Sequence, residues 1–130
     1  MHRALLLSVM FATSALAGTE APSADPFTLD TSTAIKMTVG HGFERSVARA
    51  RIGYLLEYWG HRFGIQSEWH GDRVFLTGSV WGVEIKAVFN VQEKAVFAMA
   101  YDPGTMLASA AQSYVNKKLR KYLHPTYEEP

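Results

Sequence analysis

The part of this chain most suggestive of acid–base chemistry is one tight turn, with polar residues at alternate positions: Glu68, His70 and Asp72. Two carboxylates near an imidazole commonly serve as the general acid and general base of an active site. However, Gly71-Asp72 suits a two-residue hairpin turn, where Asp is favoured by turn geometry alone. Glu68 alternates with Trp69, as a solvent-facing residue does in a strand. We therefore interpret Asp72 as a turn residue and Glu68 as an exposed strand residue.

No other residue pattern predicts a catalytic or metal site. The histidines after position 2 show no metal-ligand spacing with one another; they are His41, His61, His70 and His124. The sequence contains no cysteine, which excludes disulfides and thiolate ligands, and no serine lies in a G-x-S-x-G motif. We expect His41 to bond the backbone at a helix entrance. The sequence therefore predicts a protein that is not an enzyme and that needs no metal or cofactor.

The charge of the chain is close to balanced. Thirteen Lys and Arg residues stand against twelve Asp and Glu residues, which makes the formal net charge +1. A nearly neutral chain produces no strong field toward a polyanion, so nucleic-acid binding is not predicted. The basic residues are nevertheless concentrated in the segment 117–121, and no acidic residue lies between Asp102 and Glu128.

Residues 1–17 have the pattern of a secretory signal peptide. A basic start precedes an apolar run from Ala4 to Ala12, and Ala15-Leu16-Ala17 places small residues before a cleavage point. The segment is too short to anchor the chain across a membrane. The sequence therefore predicts an exported, periplasmic protein without a transmembrane segment. The alternative is a mis-called start codon and a cytoplasmic protein, since Met37 is the only methionine between this leader and the first predicted helix.

The remainder of the chain is predicted to contain one folded domain. Residues 18–33 are rich in small and polar residues and in proline, without a basic residue, which is typical of a flexible linker. No proline then occurs until Pro103, so a single α+β domain is expected over residues 34–123. Pro125 ends the last helix, and residues 124–130 are predicted to form a loose tail.

Two periodicities predict the order of the elements. Ile35, Met37 and Val39 alternate with polar residues, as in a strand. A helix is expected over about 43–63 and another over about 105–123, and four more strands are expected between them: 65–70, 73–79, 82–91 and 95–101. Short connections require antiparallel pairing. We therefore predict an α+β fold of order β-α-β-β-β-β-α, an antiparallel meander of four to five strands with both helices on one face.

Each predicted helix has one apolar face. In the first helix, apolar residues recur within one arc when placed at 100° steps, and they are Ala48, Ile52, Leu55, Leu56, Trp59 and Phe63. In the last helix, the apolar stripe consists of Ala108, Ala111, Val115, Leu119 and Tyr122. These two sets are the predicted helical part of the core.

Short motifs along these elements resemble those of the polyhydroxyalkanoic acid system family, small proteins encoded beside genes for polyester storage granules. The motifs cover residues 36–123. In and around the first helix they are His41 before the helix, the Ala48–Arg51–Leu55 spacing, and Phe63-Gly64 at the helix end. Further along the chain they are Glu68-Trp69-His70-Gly71-Asp72 at the hairpin, Gly82-Val83-Glu84-Ile85 in the next strand, and the Lys/Leu-rich end of the last helix. The resemblance implies an association with granules and offers no catalytic residues. It also implies a cytoplasmic location, which disagrees with the leader.

Two groups of aromatic residues are candidates for contact with a partner or a surface. Tyr54 and Tyr58 form, with Val47, a second stripe on the first helix. They either cover the edge of the core with their hydroxyls in water, which we favour, or form an exposed aromatic patch. Trp81 lies in a turn, where it either folds back over the sheet or inserts into an apolar surface.

The basic end of the last helix is the third candidate contact. Lys117, Lys118 and Lys121 lie beside Tyr114 and Tyr122, so this segment has an amphipathic character. The lysines either form a solvated face that complements the helix dipole or bind an anionic surface.

We therefore hypothesise a non-enzymatic accessory protein that associates with polyester granules or with granule proteins. The alternative is an exported binding module that holds a lipid or another apolar ligand between the sheet and the helices. It is motivated by the leader together with the supply of large aromatic residues: Trp59, Trp69, Phe75, Phe89 and Phe97.

Overall fold

The computed structural model describes residues 25–127 and confirms the predicted order of elements. In chain order they are β1 (Ile35–Gly40), α1 (Arg45–Phe63), β2 (Gln66–His70), β3 (Arg73–Val80), β4 (Val83–Val91), β5 (Ala95–Ala100) and α2 (Thr105–Tyr122). The predicted signal peptide, residues 1–17, lies outside the described residues, as do the first part of the predicted linker and the last three residues of the tail.

The five strands form one antiparallel sheet in the order β1-β5-β4-β3-β2. Strands β2 to β5 are a meander, because each follows its neighbour through a short turn. β1 pairs with β5, so that Ile35 lies opposite Ala100 and Gly40 lies opposite Ala95. The predicted antiparallel α+β fold is thus confirmed.

Two of the three hairpin turns in the meander use positive φ angles, which match the twist of the flanking strands. In the β2–β3 turn, Gly71 takes φ +66° at the first central position. In the β3–β4 turn, Trp81 takes φ +52° and Gly82 takes φ +79°. A left-handed conformation costs a residue that bears a Cβ roughly 1–2 kcal/mol. Trp81 therefore occupies a position that strand pairing alone would assign to Gly or Asn.

Both helices pack on one face of the sheet, and the core lies between the layers. The predicted arc of α1 is confirmed by the burial of Ala48, Ile52, Leu55, Leu56 and Trp59. Phe63 is only half-buried because it is the last residue of α1, next to Gly64 in the left-handed conformation. Alternate residues of the strands complete the core: Met37, Val39, Val74, Leu76, Ala87, Phe89, Val91, Val96 and Ala98.

The first half of α2 is more exposed than the sequence predicts. Leu119 and Tyr122 are buried as expected, but Ala111 is exposed. Met106 is 87% exposed and Leu107 is 49% exposed. Ala108 and Val115 are half-buried, so the predicted stripe of α2 is wrong at Ala111.

The offset of the two helices along their length explains this exposure. α1 and α2 run antiparallel, since Arg51 near the start of α1 bonds the carbonyl oxygen of Tyr122 at the end of α2. Phe63, the last residue of α1, lies against Tyr114 with 6.4 Å between ring centroids. The part of α2 that precedes Tyr114 therefore extends past the end of α1 and has no helix beside it.

The opposite face of the sheet contacts residues 25–33. Phe27 packs edge-on against Phe75 at 5.3 Å between ring centroids, and Asp25 accepts hydrogen bonds from the Arg73 guanidinium at 2.9 and 3.0 Å. These contacts leave Phe75 only 3% exposed, although it points away from both helices. Neither helix of the described chain combines the length and the apolar character needed to cross a membrane.

Candidate contact surface on the helix pair

Where α1 and α2 run side by side, the structure brings two of the six predicted contact residues, Tyr58 and Lys118, into contact, and Tyr54, Lys117 and Lys121 lie on the same two helices. We call this region the helix-pair surface, and it consists of Val47, Tyr54 and Tyr58 from α1 and Tyr114, Lys117, Lys118 and Lys121 from α2. Tyr54 and Tyr58 are one helical turn apart, as are Lys117 and Lys121. The surface follows from antiparallel packing, because two stripes separated by about sixty residues of sequence face the same side.

Lys118 joins the two helices at the middle of this surface. Its Nζ lies 4.8 Å from the ring centroid of Tyr58 and 5.8 Å from that of Tyr114. A cation above an aromatic face is attracted by the ring quadrupole, with about 0.5–1 kcal/mol at an exposed site. Lys118 is half-buried as a result, whereas Lys117 and Lys121 remain exposed.

The tyrosine rings are anchored at one end and exposed at the other. The Tyr114 hydroxyl accepts a hydrogen bond from Nε1 of buried Trp59 at 3.1 Å. Tyr54, Tyr58 and Tyr114 remain 39%, 36% and 37% exposed. The rings therefore form the edge of the core and an exposed aromatic stripe at the same time.

Arg51 holds the end of α2 against α1. Its Nη1 donates to the carbonyl oxygens of Tyr122 at 3.2 Å and His124 at 3.1 Å. Its guanidinium also stacks over Phe43, 4.3 Å from the ring centroid. The last carbonyls of a helix carry partial negative charge and have no partner within the helix, so the guanidinium satisfies them and fixes the two helices in register.

The basic end of α2 borders an open depression of about 350 Å³. It is lined by Lys117, Arg120, Lys121, His124, Thr126 and Tyr127. Ion pairs within residues 25–127 involve Arg45, His70, Arg73 and Lys86, and none of them includes a basic residue of α2. The positive charge of α2 is therefore not neutralised by any acidic residue in this part of the chain.

Tyr122 is the buried ionisable group at this end of the fold. Burial raises the pKa of its hydroxyl, and neighbouring Tyr127 adds to the effect. The two rings lie 4.5 Å apart between centroids. The neutral phenol is therefore part of the packing between α2 and the segment that follows it.

This burial predicts that the fold loses stability above about pH 10. The unfolded chain releases the Tyr122 proton at its usual pKa of about 10, whereas the folded protein retains it to higher pH. Its contribution is complete below that pH and falls by about 1.4 kcal/mol for each further unit until the folded pKa is reached. Urea unfolding between about pH 9 and pH 11.5 should show a shallower loss in Tyr122→Phe. An unchanged slope in that variant, with exposed Tyr101→Phe as the control, would contradict the prediction.

Trp81 lies apart from the helix-pair surface, at the β3–β4 turn. It is 93% exposed, so of the two predicted placements the structure shows the one in which the ring projects into solvent. Within the described residues, no aromatic or cation–π contact reaches it. Exposure of the indole ring to water and the left-handed backbone of Trp81 are each unfavourable in free energy. No aromatic or cation–π contact within the described residues compensates for them.

The polar residues of the β2–β3 turn form structural contacts. Asp72 accepts a hydrogen bond from Nη1 of Arg45, the first residue of α1, at 2.7 Å. Glu68 bonds Nε2 of His70 at 2.6 Å, and the His70 ring packs on Phe75. Sequence reasoning missed the Arg45–Asp72 pair, because 27 residues separate its members. Each of these side chains therefore has a hydrogen-bond partner within the fold.

His41 has the predicted role at the entrance of α1. Its Nδ1 accepts a hydrogen bond from the backbone N–H of Phe43 at 3.1 Å, and Nε2 lies 2.9 Å from the Gln92 carbonyl oxygen. Because Nδ1 accepts, the proton is on Nε2, which donates to that carbonyl. The prediction that His41 bonds backbone is confirmed. Elsewhere in residues 25–127, no three acidic or histidine side chains converge as metal ligands would.

Comparisons with known protein families, with curated proteins and with solved structures find no match to this chain.

Proposed function

We propose that this protein is a non-enzymatic accessory protein that associates with polyester storage granules, or with granule proteins, through the helix-pair surface. Its motifs resemble those of a granule-region family, and they lie along the elements of the β-α-β-β-β-β-α fold. The observation that carries the proposal is the convergence of Tyr58 and Tyr114 around Lys118, with exposed Tyr54 one helical turn from Tyr58. Such a surface offers apolar ring faces to a polymer and charge to its hydrated boundary.

The interior supports this choice over a lipid-binding cavity. An exported module that held an apolar ligand between its layers would need space there. Instead, the centre of the interlayer is filled by fully buried side chains: Ile52, Leu55, Val74, Val91, Val96 and Leu119. Two open depressions of the described chain lie at its surface, one beside α2 and one beside the β4–β5 turn. Binding is therefore proposed on the outside of the fold.

The proposal includes a cytoplasmic location, with residues 1–17 not acting as an export signal. Amino-terminal sequencing of the native protein separates the two locations. A start at Gly18 would favour export, and a start near Ala34 would favour the cytoplasm. Translation from Met37 would also remove Phe27, which covers Phe75 on the outer face of the sheet.

A fluorescent fusion that lacks residues 1–17 tests the proposal in a cell that accumulates polyester. We expect the wild-type fusion to decorate granules. Tyr54→Ala/Tyr58→Ala should lower the ratio of granule to cytosolic signal by at least about tenfold, since truncation of an aromatic anchor typically costs more than about 1 kcal/mol. Alanine is the best helix former, so these changes are not expected to disrupt α1.

Two controls make the result specific. Tyr101→Ala removes an exposed tyrosine outside the helix pair and should leave the granule signal unchanged. Trp81→Asn removes the exposed ring at the β3–β4 turn and suits the left-handed backbone there. A diffuse wild-type signal would refute granule association. A signal lost only in Trp81→Asn would place binding at that turn and refute the assignment to the helix pair.

A further inference from the structure

We propose that the helix-pair surface binds an anionic lipid–water interface, with the basic end of α2 at the lipid headgroups and the tyrosines at the boundary of the apolar layer. The inference rests on the proposed function in that it uses the same surface, and it names the chemistry of the partner. It is carried by charge, by the type of exposed side chain and by the rigidity of the helix pair.

The charge argument is local. Residues 103–127 contain four Lys and Arg side chains and no Asp or Glu, in a chain whose net charge is only +1. The exposed Lys117 and Lys121 lie one turn apart on α2, and no acidic residue of the described chain pairs with them. An anionic partner complements this surface, and each Lys near an anionic lipid surface contributes about 1 kcal/mol.

The exposed apolar side chains favour a lipid interface over a soluble polyanion. Met106 and Lys117 lie on the same side of α2, because eleven residues correspond to three helical turns. Met106 and its neighbour Leu107 are aliphatic and exposed, and they gain free energy when they enter a hydrocarbon layer but gain little from a hydrated polyanion. The tyrosines, with apolar rings and polar hydroxyls, suit the depth between headgroups and hydrocarbon.

The surface is formed before any partner arrives. Arg51 bonds two carbonyl oxygens at the end of α2, and Trp59 bonds the Tyr114 hydroxyl. The two helices that carry the aromatic and basic residues are therefore held in one relative orientation, and binding does not have to supply the entropy of ordering a helix.

Vesicle co-sedimentation of the purified full-length chain tests the inference. The probe is vesicles of phosphatidylcholine with about one-third phosphatidylglycerol, compared with phosphatidylcholine alone. We expect binding to the anionic vesicles, weakened by added salt because ionic screening shortens the range of the attraction. Lys117→Gln/Lys121→Gln should weaken the partition coefficient roughly 30-fold.

The matched control is Lys36→Gln/Lys94→Gln, which removes the same net charge from exposed positions in β1 and in the β4–β5 turn. It should change the partition coefficient by less than about twofold, since lysines remote from the surface contribute little. All variants share residues 1–24, so any contribution of that segment is equal among them. Circular dichroism verifies that each variant is folded.

Three results would overturn the inference. They are equal binding to neutral and anionic vesicles, an equal loss in both double variants, and binding to soluble polyphosphate as tight as binding to anionic vesicles. Failure here is distinguishable from failure of the proposed function. A fusion that decorates granules through Tyr54 and Tyr58 without vesicle binding refutes only the lipid interface. Vesicle binding combined with a diffuse fusion refutes only granule association.

Discussion

Replacing Trp59 by Ala is expected to lower the free energy of unfolding by about 3–5 kcal/mol, the usual loss when a large aromatic side chain is removed from a core. Trp59 belongs to α1 and is 5% exposed. Its side chain contacts both the sheet and α2. Its ring packs edge-on against Phe89 at 6.1 Å and lies 6.2 Å from Tyr114. The substitution would leave a cavity where three elements meet, and domains of this size are stabilised by only about 5–15 kcal/mol.

Trp59→Phe is a milder companion variant. It retains one six-membered aromatic ring but removes the second ring of the indole together with the donor to the Tyr114 hydroxyl. Tyr114 is partly exposed and can bond water instead, so we expect a loss of about 1–3 kcal/mol, smaller than that of Trp59→Ala. Urea unfolding followed by circular dichroism measures both variants. A Trp59→Ala protein within about 1 kcal/mol of the wild type would show that the ring does not join the three elements as described.

Replacing Arg51 by Met is expected to lower the free energy of unfolding by about 2–3 kcal/mol, because one guanidinium makes two charged hydrogen bonds and a cation–π contact. The variant leaves the carbonyl oxygens of Tyr122 and His124 without their donor. Methionine preserves the apolar stem, so the loss reports the guanidinium. Amide hydrogen exchange should rise over residues 122–127, where the chain leaves α2.

Arg51→Lys tests the geometry of the contact. An ammonium retains the charge but lacks the planar fork of the guanidinium, so it cannot reproduce the stacking on Phe43 together with both carbonyl bonds. We expect an intermediate loss of stability and partial protection of residues 122–127. If the amide hydrogens of residues 122–127 exchanged no faster in Arg51→Met than in the wild type, the guanidinium would not be the group that holds the end of α2.

Local patterns in the sequence predict most of the fold, for physical reasons that act within a few residues. The alternation of Ile35, Met37 and Val39 specifies one buried face of a strand, and Met37 and Val39 are indeed buried. The arc from Ala48 to Trp59 recurs every three to four residues, and it is the buried face of α1. Short turns between successive strands leave antiparallel pairing as the only way to connect them.

The candidate surface is predictable only in its parts. The sequence identifies Tyr54 and Tyr58 as a stripe and the lysines of α2 as a cluster, but it contains no signal that they share a surface. That depends on the antiparallel contact of two helices, with Lys118 above Tyr58. Of the six predicted residues, Tyr58 and Lys118 come into contact by this packing, and Trp81 lies apart at the β3–β4 turn.

Other features depend on lengths and distances that no local pattern contains. The apolar stripe of α2 predicts burial of Ala111, but α1 ends beside Tyr114, so the preceding part of α2 has no helix beside it and Ala111 is exposed. The ion pair of Arg45 with Asp72 and the bonds from Arg51 to the end of α2 join residues 27 and at least 71 positions apart.

The sequence by itself determines the class of this protein: an α+β domain with an antiparallel sheet, two helices on one face, no cysteine and no motif of catalytic residues. It does so because hydrophobic periodicity and turn chemistry are local properties of the chain. Only the tertiary structure decides which exposed residues act together. The helix-pair surface exists because α1 and α2 are packed antiparallel and held by Arg51 and Trp59, and that packing is set by side chains far apart in the sequence.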